Sequence, residues 1–228
     1  MPACRSDGNR LDLAFEPLGP VGLLLDIYGR PNSQHTQKVL WACAELNLRF
    51  RFVHTGRVTT GELDPDYLRL NPNGLVPTLV EDAFVLWESN TIVRYLAARH
   101  GGELIPGDLR TRAQGERWMD WQATTLTDAF RPVFRPLVEG PPEARDPVAL
   151  RPAVEKLNDT IAVLDRQLAD SPYVAGSGFT VCDIPVGVHA YRFFTLDIAR
   201  RPMPALEAWY RRLWELPPYR QHVMIGLG

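Results

Sequence analysis

Cysteine and lysine are scarce in this chain, and no long apolar run occurs. Only three cysteines are present, Cys4, Cys43 and Cys182, with no C-x-x-C pair among them. That number and spacing exclude a disulfide framework, a cysteine-based zinc site and a dithiol redox motif, and they suit a cytoplasmic setting. No metal site is expected. No stretch approaches the roughly 18 apolar residues of a membrane-spanning helix. Residues 1–20 lack a basic start followed by an apolar run, so they do not read as a signal peptide. Asp7, Asp12 and Glu16 also run against a mitochondrial presequence, and residues 1–21 are expected to form a flexible extension. A net charge of −2 leaves no strongly basic face, so neither nucleic acid nor an anionic membrane is an expected partner. Lysine occurs only as Lys38 and Lys156, while arginine is abundant. That bias reads as genome composition. No internal repeat or low-complexity tract is present.

What remains is an ordinary globular composition: 228 residues, 45% hydrophobic and 23% charged. Residues 23–27 form an apolar run with the length of a buried strand, broken by Gly29-Arg30-Pro31-Asn32. A helix is expected over 34–46, with Val39, Cys43 and Leu46 on one stripe. An alternating strand follows over 50–53 and a short helix over 64–70, ended by Asn-Pro. Residues 77–80 and 84–87 read as a hairpin around Glu81-Asp82, and a helix follows over 89–99. The order β-α-β-α-β-β-α predicts a small mixed sheet with helices on its faces, the thioredoxin-like topology. Residues 101–107 read as a linker. Beyond them the patterns are helical, over 109–130, 147–169, 181–194 and 205–216, and Pro132 and Pro136 are expected to end or kink the first. The division is thus 22–102, α/β, and 109–228, all-α.

The most informative segment is Asn71-Pro72-Asn73-Gly74-Leu75-Val76-Pro77-Thr78-Leu79, followed by Leu86-Trp87-Glu88-Ser89. Pro77 is acceptable at a strand's first residue, where it need not donate to the ladder. A cis Val76–Pro77 peptide would turn the Val76 N–H and C=O toward a cleft, where an extended peptide could pair with them as an added strand. Glu88 and Ser89 stand at a strand end and a helix start, and Ser89 reads as an N-cap. Backbone N–H groups there also favour a bound carboxylate. Together these features suit a small peptide carrying both an amine and a carboxylate. Ser33 has two readings: an N-cap for the helix starting at Gln34, or a hydroxyl aimed at a ligand. Thr180-x-x-Asp183, flanked by Phe179 and Ile184, has the form of a capping box with a hydrophobic staple, which is a folding device.

These segments resemble the glutathione S-transferases. The stretch from Tyr28 to Trp41 is similar to the first strand, active-site loop and first helix of the serine-using, theta-like bacterial members. Trp121-Gln122-Ala123-Thr124-Thr125-Leu126 resembles a helix of their second domain, and Phe179 to Ile184 resembles the family's folding motif. The resemblance covers nearly the whole chain from about residue 23. It implies a thioredoxin-like domain followed by an all-helical one, a homodimer, glutathione as co-substrate and a small hydrophobic electrophile as second substrate. It implies that Ser33 donates to the glutathione sulfur, that Val76 and Pro77 line the extended peptide, and that Glu88 and Ser89 hold its γ-glutamyl end. The family's proline after the serine is replaced here by His35. Asn32 could donate to sulfur itself or shape an Asx-turn. His54 and Arg57 are candidates for the glycine carboxylate. Trp118, Trp121, Thr125, Phe130, Arg131 and Phe134 are candidate walls for the second substrate, and Glu116 is a candidate acid toward the partner subunit's glutathione. A dehalogenase, lyase or peroxidase on the same scaffold, or a non-catalytic interaction protein, are the other expectations.

Overall fold

A computed structural model of the chain describes residues 25–55 and 64–227. The extension, Cys4, Arg57 and the first residues of the expected opening strand lie outside the described residues.

Four strands form one sheet in the order β2-β1-β3-β4, with β1 at Leu25–Gly29, β2 at Phe50–His54, β3 at Thr78–Glu81 and β4 at Phe84–Trp87. β1 runs parallel to β2 and antiparallel to β3, and β3 pairs antiparallel with β4. Ile27 therefore stands between Phe52 and Leu79 at the centre of the sheet. Helices α1 (Gln34–Glu45), α2 (Pro65–Leu70) and α3 (Ser89–His100) complete the thioredoxin-like arrangement expected from the pattern.

The first and third of these helices are buried on two sides. Val39, Leu40, Cys43, Ile92 and Leu96 face the sheet core. Trp41, Ala42, Val93 and Ala97 join a second core built by the helical half. A helix covered all round needs apolar residues on every face, and residues 36–43 of α1 are all buried. Three of them, Thr36, Gln37 and Lys38, are polar, and they become important below.

The helical half comprises α4 (Leu109–Trp121), α5 (Thr127–Phe134), α6 (Pro147–Asp170), α7 (Asp183–Thr195), α8 (Pro204–Trp214) and α9 (Pro217–His222). The first helix of this half does not stop at Pro132. It passes from α4 through a π turn at Gln122–Leu126 into α5, and then through a second π turn at Arg135–Glu139. The wider turn accommodates Pro136: the ladder there is closed by an i+5 bond, Gly140 N to Arg135 O at 2.8 Å.

The Thr180–Asp183 device is present and extended. The Asp183 carboxylate accepts from Thr180 N (3.0 Å) and Thr180 Oγ1 (3.2 Å), and also from Val174 N and Trp209 Nε1, both at 3.0 Å. Burial pushes this carboxyl up to about 6, against the pull of those four donors. Cys43 and Cys182 are free and buried, and burial pushes their thiols up to about 12 and about 11. No helix among the described residues is long and apolar enough to cross a membrane.

Candidate functional site

The site begins where β1 ends. A Cβ at Gly29 would meet the Thr36 side chain at 2.6 Å, so glycine lets the strand end pack against the start of α1. A turn closed by Ser33 N to Arg30 O (3.1 Å) then delivers Ser33 to the N-cap position. Its carbonyl accepts from Gln37 N at 2.9 Å, but its side chain makes no capping bond. The Ser33 hydroxyl is therefore not committed to its own helix. Asn32 is exposed, and its side chain forms no Asx-turn. Its carbonyl instead accepts from Arg192 Nη2 at 3.1 Å.

The second wall is built around buried Asn71. Its amide oxygen accepts from Asn73 N (3.0 Å) and its amide nitrogen donates to Leu75 O (2.7 Å). Tyr67 Oη also donates to Leu75 O at 2.6 Å, and Gly74 takes a φ of 62° to complete the turn. With the Leu75 carbonyl held by two donors, the chain passes through a cis Val76–Pro77 bond into β3. Among the described residues, neither the N–H nor the C=O of Val76 has a hydrogen-bond partner.

The third wall is the start of α3. Glu88, not Ser89, occupies the N-cap position, with a φ of 72° in the left-handed region that a non-glycine residue rarely adopts. Such strain is held in place by surrounding structure and is common at ligand sites. Ser89 is the first helical residue, 5% exposed, and its Oγ accepts from Lys38 Nζ at 3.4 Å.

Lys38 is the residue that sequence reasoning passed over. It is buried, and its ammonium also donates to Asn90 Oδ1 (3.1 Å) and to Gln122 Oε1 (2.6 Å) in the first π turn of the helical half. Asn90 Nδ2 in turn donates to Met119 O at 2.7 Å, and Gln122 Nε2 to Thr127 Oγ1 at 3.0 Å. Burial lowers the Lys38 amine to about 7, with Glu88 pulling it upward and Arg192 pushing it further down. The available signal was a lone lysine opening the apolar run Val39-Leu40-Trp41-Ala42-Cys43 in a chain nearly devoid of lysine.

The fourth wall comes from the helical half: Phe130, Arg131 and Phe134 from α5, and His189 and Arg192 from α7. The open cleft measures about 840 Å³, and Asn32, Ser33, Val76, Pro77, Glu88 and Ser89 all line it. Trp118 packs into the helical core and Trp121 against it, so neither faces the cleft, and Thr125 is exposed away from it. His54 packs its ring on Phe52 and lies outside the cleft. Glu116 pairs with Arg112 (2.8 Å) and Arg94. His35 does face the cleft. Burial, and then the neighbouring charges of Lys38, Arg192 and Arg131, lower it to about 3, so it is neutral at physiological pH. His189 is held neutral in the same way, burial being the first cause. The cleft thus offers an unpaired strand edge at Val76, a carboxylate at Glu88, a helix N-terminus with a hydroxyl and an ammonium behind it, and a free hydroxyl at Ser33.

Residues 27–104 match the family model described as glutathione S-transferase, N-terminal domain, and residues 142–212 match the corresponding C-terminal domain. The chain is 40% identical over 208 residues to glutathione S-transferase GstB of Escherichia coli strain K12, covering 90% of this chain and all of that protein. It is 27% identical over 197 residues to glutathione S-transferase D6 of Drosophila melanogaster, covering 85% of this chain and 89% of that one. Among solved structures, it is similar to the theta class glutathione S-transferase of Xanthomonas axonopodis pv. citri with glutathione bound. The TM-score is 0.85 at 40% identity, covering 91% of this chain and all of that chain.

Proposed function

The chain belongs to the glutathione S-transferase family and is a glutathione transferase, and from that premise we propose how its residues bind and activate the tripeptide. Glutathione lies extended along Val76, whose free N–H and C=O take up its backbone, with Pro77 beneath it. The amine of its γ-glutamyl end pairs with Glu88, and the carboxylate sits at the start of α3 on the Ser89 hydroxyl, with Lys38 behind it. Ser33 donates to the sulfur, with Asn32 beside it.

The energetics are sufficient without a proton-abstracting base. A free thiol with a pKa near 8.5 is only a few per cent ionised at neutral pH. Lowering that value by about two units needs roughly 2.7 kcal/mol of preference for the anion. A hydrogen bond to a charged acceptor supplies about 1.5–3 kcal/mol, and a helix N-terminus about 0.3–1 more. The thiolate then forms a C–S bond to an electrophilic carbon of a small apolar substrate held against Phe130 and Phe134, as that carbon's leaving group departs to solvent with its electron pair, and proximity contributes the rest of the acceleration.

The observation that carries this reading is the Ser33 hydroxyl, which occupies an N-cap position without capping and faces the same cleft as Val76, Glu88 and Ser89. The separate sheet and helical cores support a division into a glutathione-binding domain, residues 22–102, and a helical domain, residues 109–228. Cytoplasmic location, a detoxifying role and a homodimer belong to the same proposal.

The test is a glutathione titration that follows thiolate absorbance. Wild type is expected to bind glutathione saturably and to hold it ionised at neutral pH. Ser33→Ala is expected to keep binding while the thiol pKa climbs by about one to two units. An unchanged thiol pKa in Ser33→Ala would remove Ser33 from the mechanism, and no binding at millimolar glutathione would overturn the site as a whole.

A further inference from the structure

One buried charge in the cleft wall is left without a counter-ion. Arg192 projects from α7 and is 0% exposed. Its Nη1 donates to Gln37 Oε1 at 2.7 Å and to Val188 O at 3.5 Å, and its Nη2 donates to Asn32 O at 3.1 Å. The Phe134 ring lies 5.9 Å from its guanidinium carbon. Every one of these partners is neutral, and no carboxylate among the described residues forms an ion pair with it. Its Nε is buried with no partner. Burial lowers the guanidinium only to about 10, so it stays protonated at neutral pH.

The groups around it do not compensate the charge, and Glu88 and Glu139, the carboxylates lining the same cleft, form no ion pair with it. From α1, His35 is held neutral and Lys38 is a second base. Arg131 on α5 adds a further cation at the cleft. On its own helix His189 is neutral, and Tyr219 on α9 is a phenol whose ionisation burial pushes far upward. A buried cation without a partner is costly. An anion that arrives with the ligand would compensate it.

We propose that Arg192 is the positioning residue of the Ser33 loop and the fixed positive charge against which the glutathione thiolate forms. This rests on the reading of the cleft as a glutathione site. The grip is specific: Arg192 holds the carbonyl of Asn32, the residue before Ser33, and the side chain of Gln37, whose N–H closes the first helical bond to Ser33 O. One side chain from the helical half thus fixes the loop on both sides of the serine, across a sequence separation of 160 residues. The charge it brings lies behind that serine, where it favours the ionised thiol. The reaction needs no change in the protonation of Arg192. The thiol proton leaves to solvent and the guanidinium stays as it is.

The experiment separates charge from grip by titrating the thiolate absorbance of bound glutathione against pH. Arg192→Lys keeps the charge and loses the planar fork. Arg192→Gln keeps donors and loses the charge. Wild type is expected to hold the thiol well below its free value, and Arg192→Lys, which keeps the charge but loses the grip, to raise it by less than the neutral variant does. Arg192→Gln is expected to raise the thiol pKa by about one unit, a tenfold loss of thiolate at a pH below the transition. If the glutamine variant does not fold by circular dichroism, Arg192→Met is the neutral substitute. An unchanged thiol pKa in both the lysine and the neutral variant would overturn the proposal. So would the reverse order, lysine raised and glutamine unchanged, because that is the signature of a clamp alone. A wild type that fails to bind or ionise glutathione would overturn the underlying site reading instead, before any variant is made.

Discussion

Lys38 reverses the meaning of the chain's lysine scarcity. What composition alone suggested was a coding bias is, at this position, the polar hub of the seam between the two halves, with acceptors on α3 and in the first π turn. Burial lowers its amine from 10.5 to about 7. Between those two values the unfolded chain carries a proton that the folded chain has shed. Stability from this group therefore rises as pH climbs through that window, and is at its lowest below about 7. Lys38→Met is expected to remove that rise. The stability difference between variant and wild type, from urea midpoints at pH 7 and 8.5, should shift in favour of wild type as pH increases, and a pH-independent difference would contradict the assignment. That Val76, Glu88 and Ser89 line one cleft was anticipated from local order, a proline at a strand start and a helix start, whereas Ser33 had two readings until the resemblance favoured one. Lys38 and Arg192 were not anticipated. Their partners lie up to 84 and 160 residues away, and only tertiary packing sets the environment of such side chains.

At the level of elements, the start of α7 combines a legible part with a hidden one. The spacing of Thr180 and Asp183 announces a cap, and the Asp183 carboxylate does reach back to Thr180 N. The bonds from Val174 N and Trp209 Nε1 are not announced, since they come from a loop and a helix elsewhere in the chain. Asp183→Ala would strand four buried donor contacts and is expected to cost roughly 3 kcal/mol or more. The check is the urea midpoint, with glutathione binding measured on the fraction that remains folded. Pro132 and Pro136 do not end their helix, one of the two outcomes expected of them: it continues through π turns. Pro217 and Pro218 open α9, where the first turn of a helix needs no N–H from them.

At the scale of the whole molecule, the two halves meet through Trp41. Its indole is fully buried in the helical core, with ring contacts to Phe179 at 5.6 Å and to Tyr219 at 4.7 Å. Gly187 on α7 makes that approach possible. A Cβ there would meet two Trp41 ring atoms at 2.9 Å and Leu213 at 3.0 Å. Gly187→Ala is expected to destabilise the chain by about 1–3 kcal/mol through overpacking, read as a lowered thermal midpoint. An unchanged midpoint would mean that α1 and α7 can separate at no cost. The small mixed sheet and most of the helices were foreseeable from the pattern, α9 excepted, whereas this joint was not, because a glycine in a helix carries no mark of what presses against it.

The same seam has a chemical consequence. Of the two lysines in the chain, Lys38 is closed within it and Lys156 stands exposed on α6. To an acylating reagent the folded molecule therefore presents a single side-chain amine, and the unfolded chain presents two. The number of acyl groups gained on lysine side chains, read by peptide mapping apart from any on the α-amino group, reports whether the halves are joined. A dye or support coupled through Lys156 attaches every native molecule by the same point on α6, with the cleft untouched.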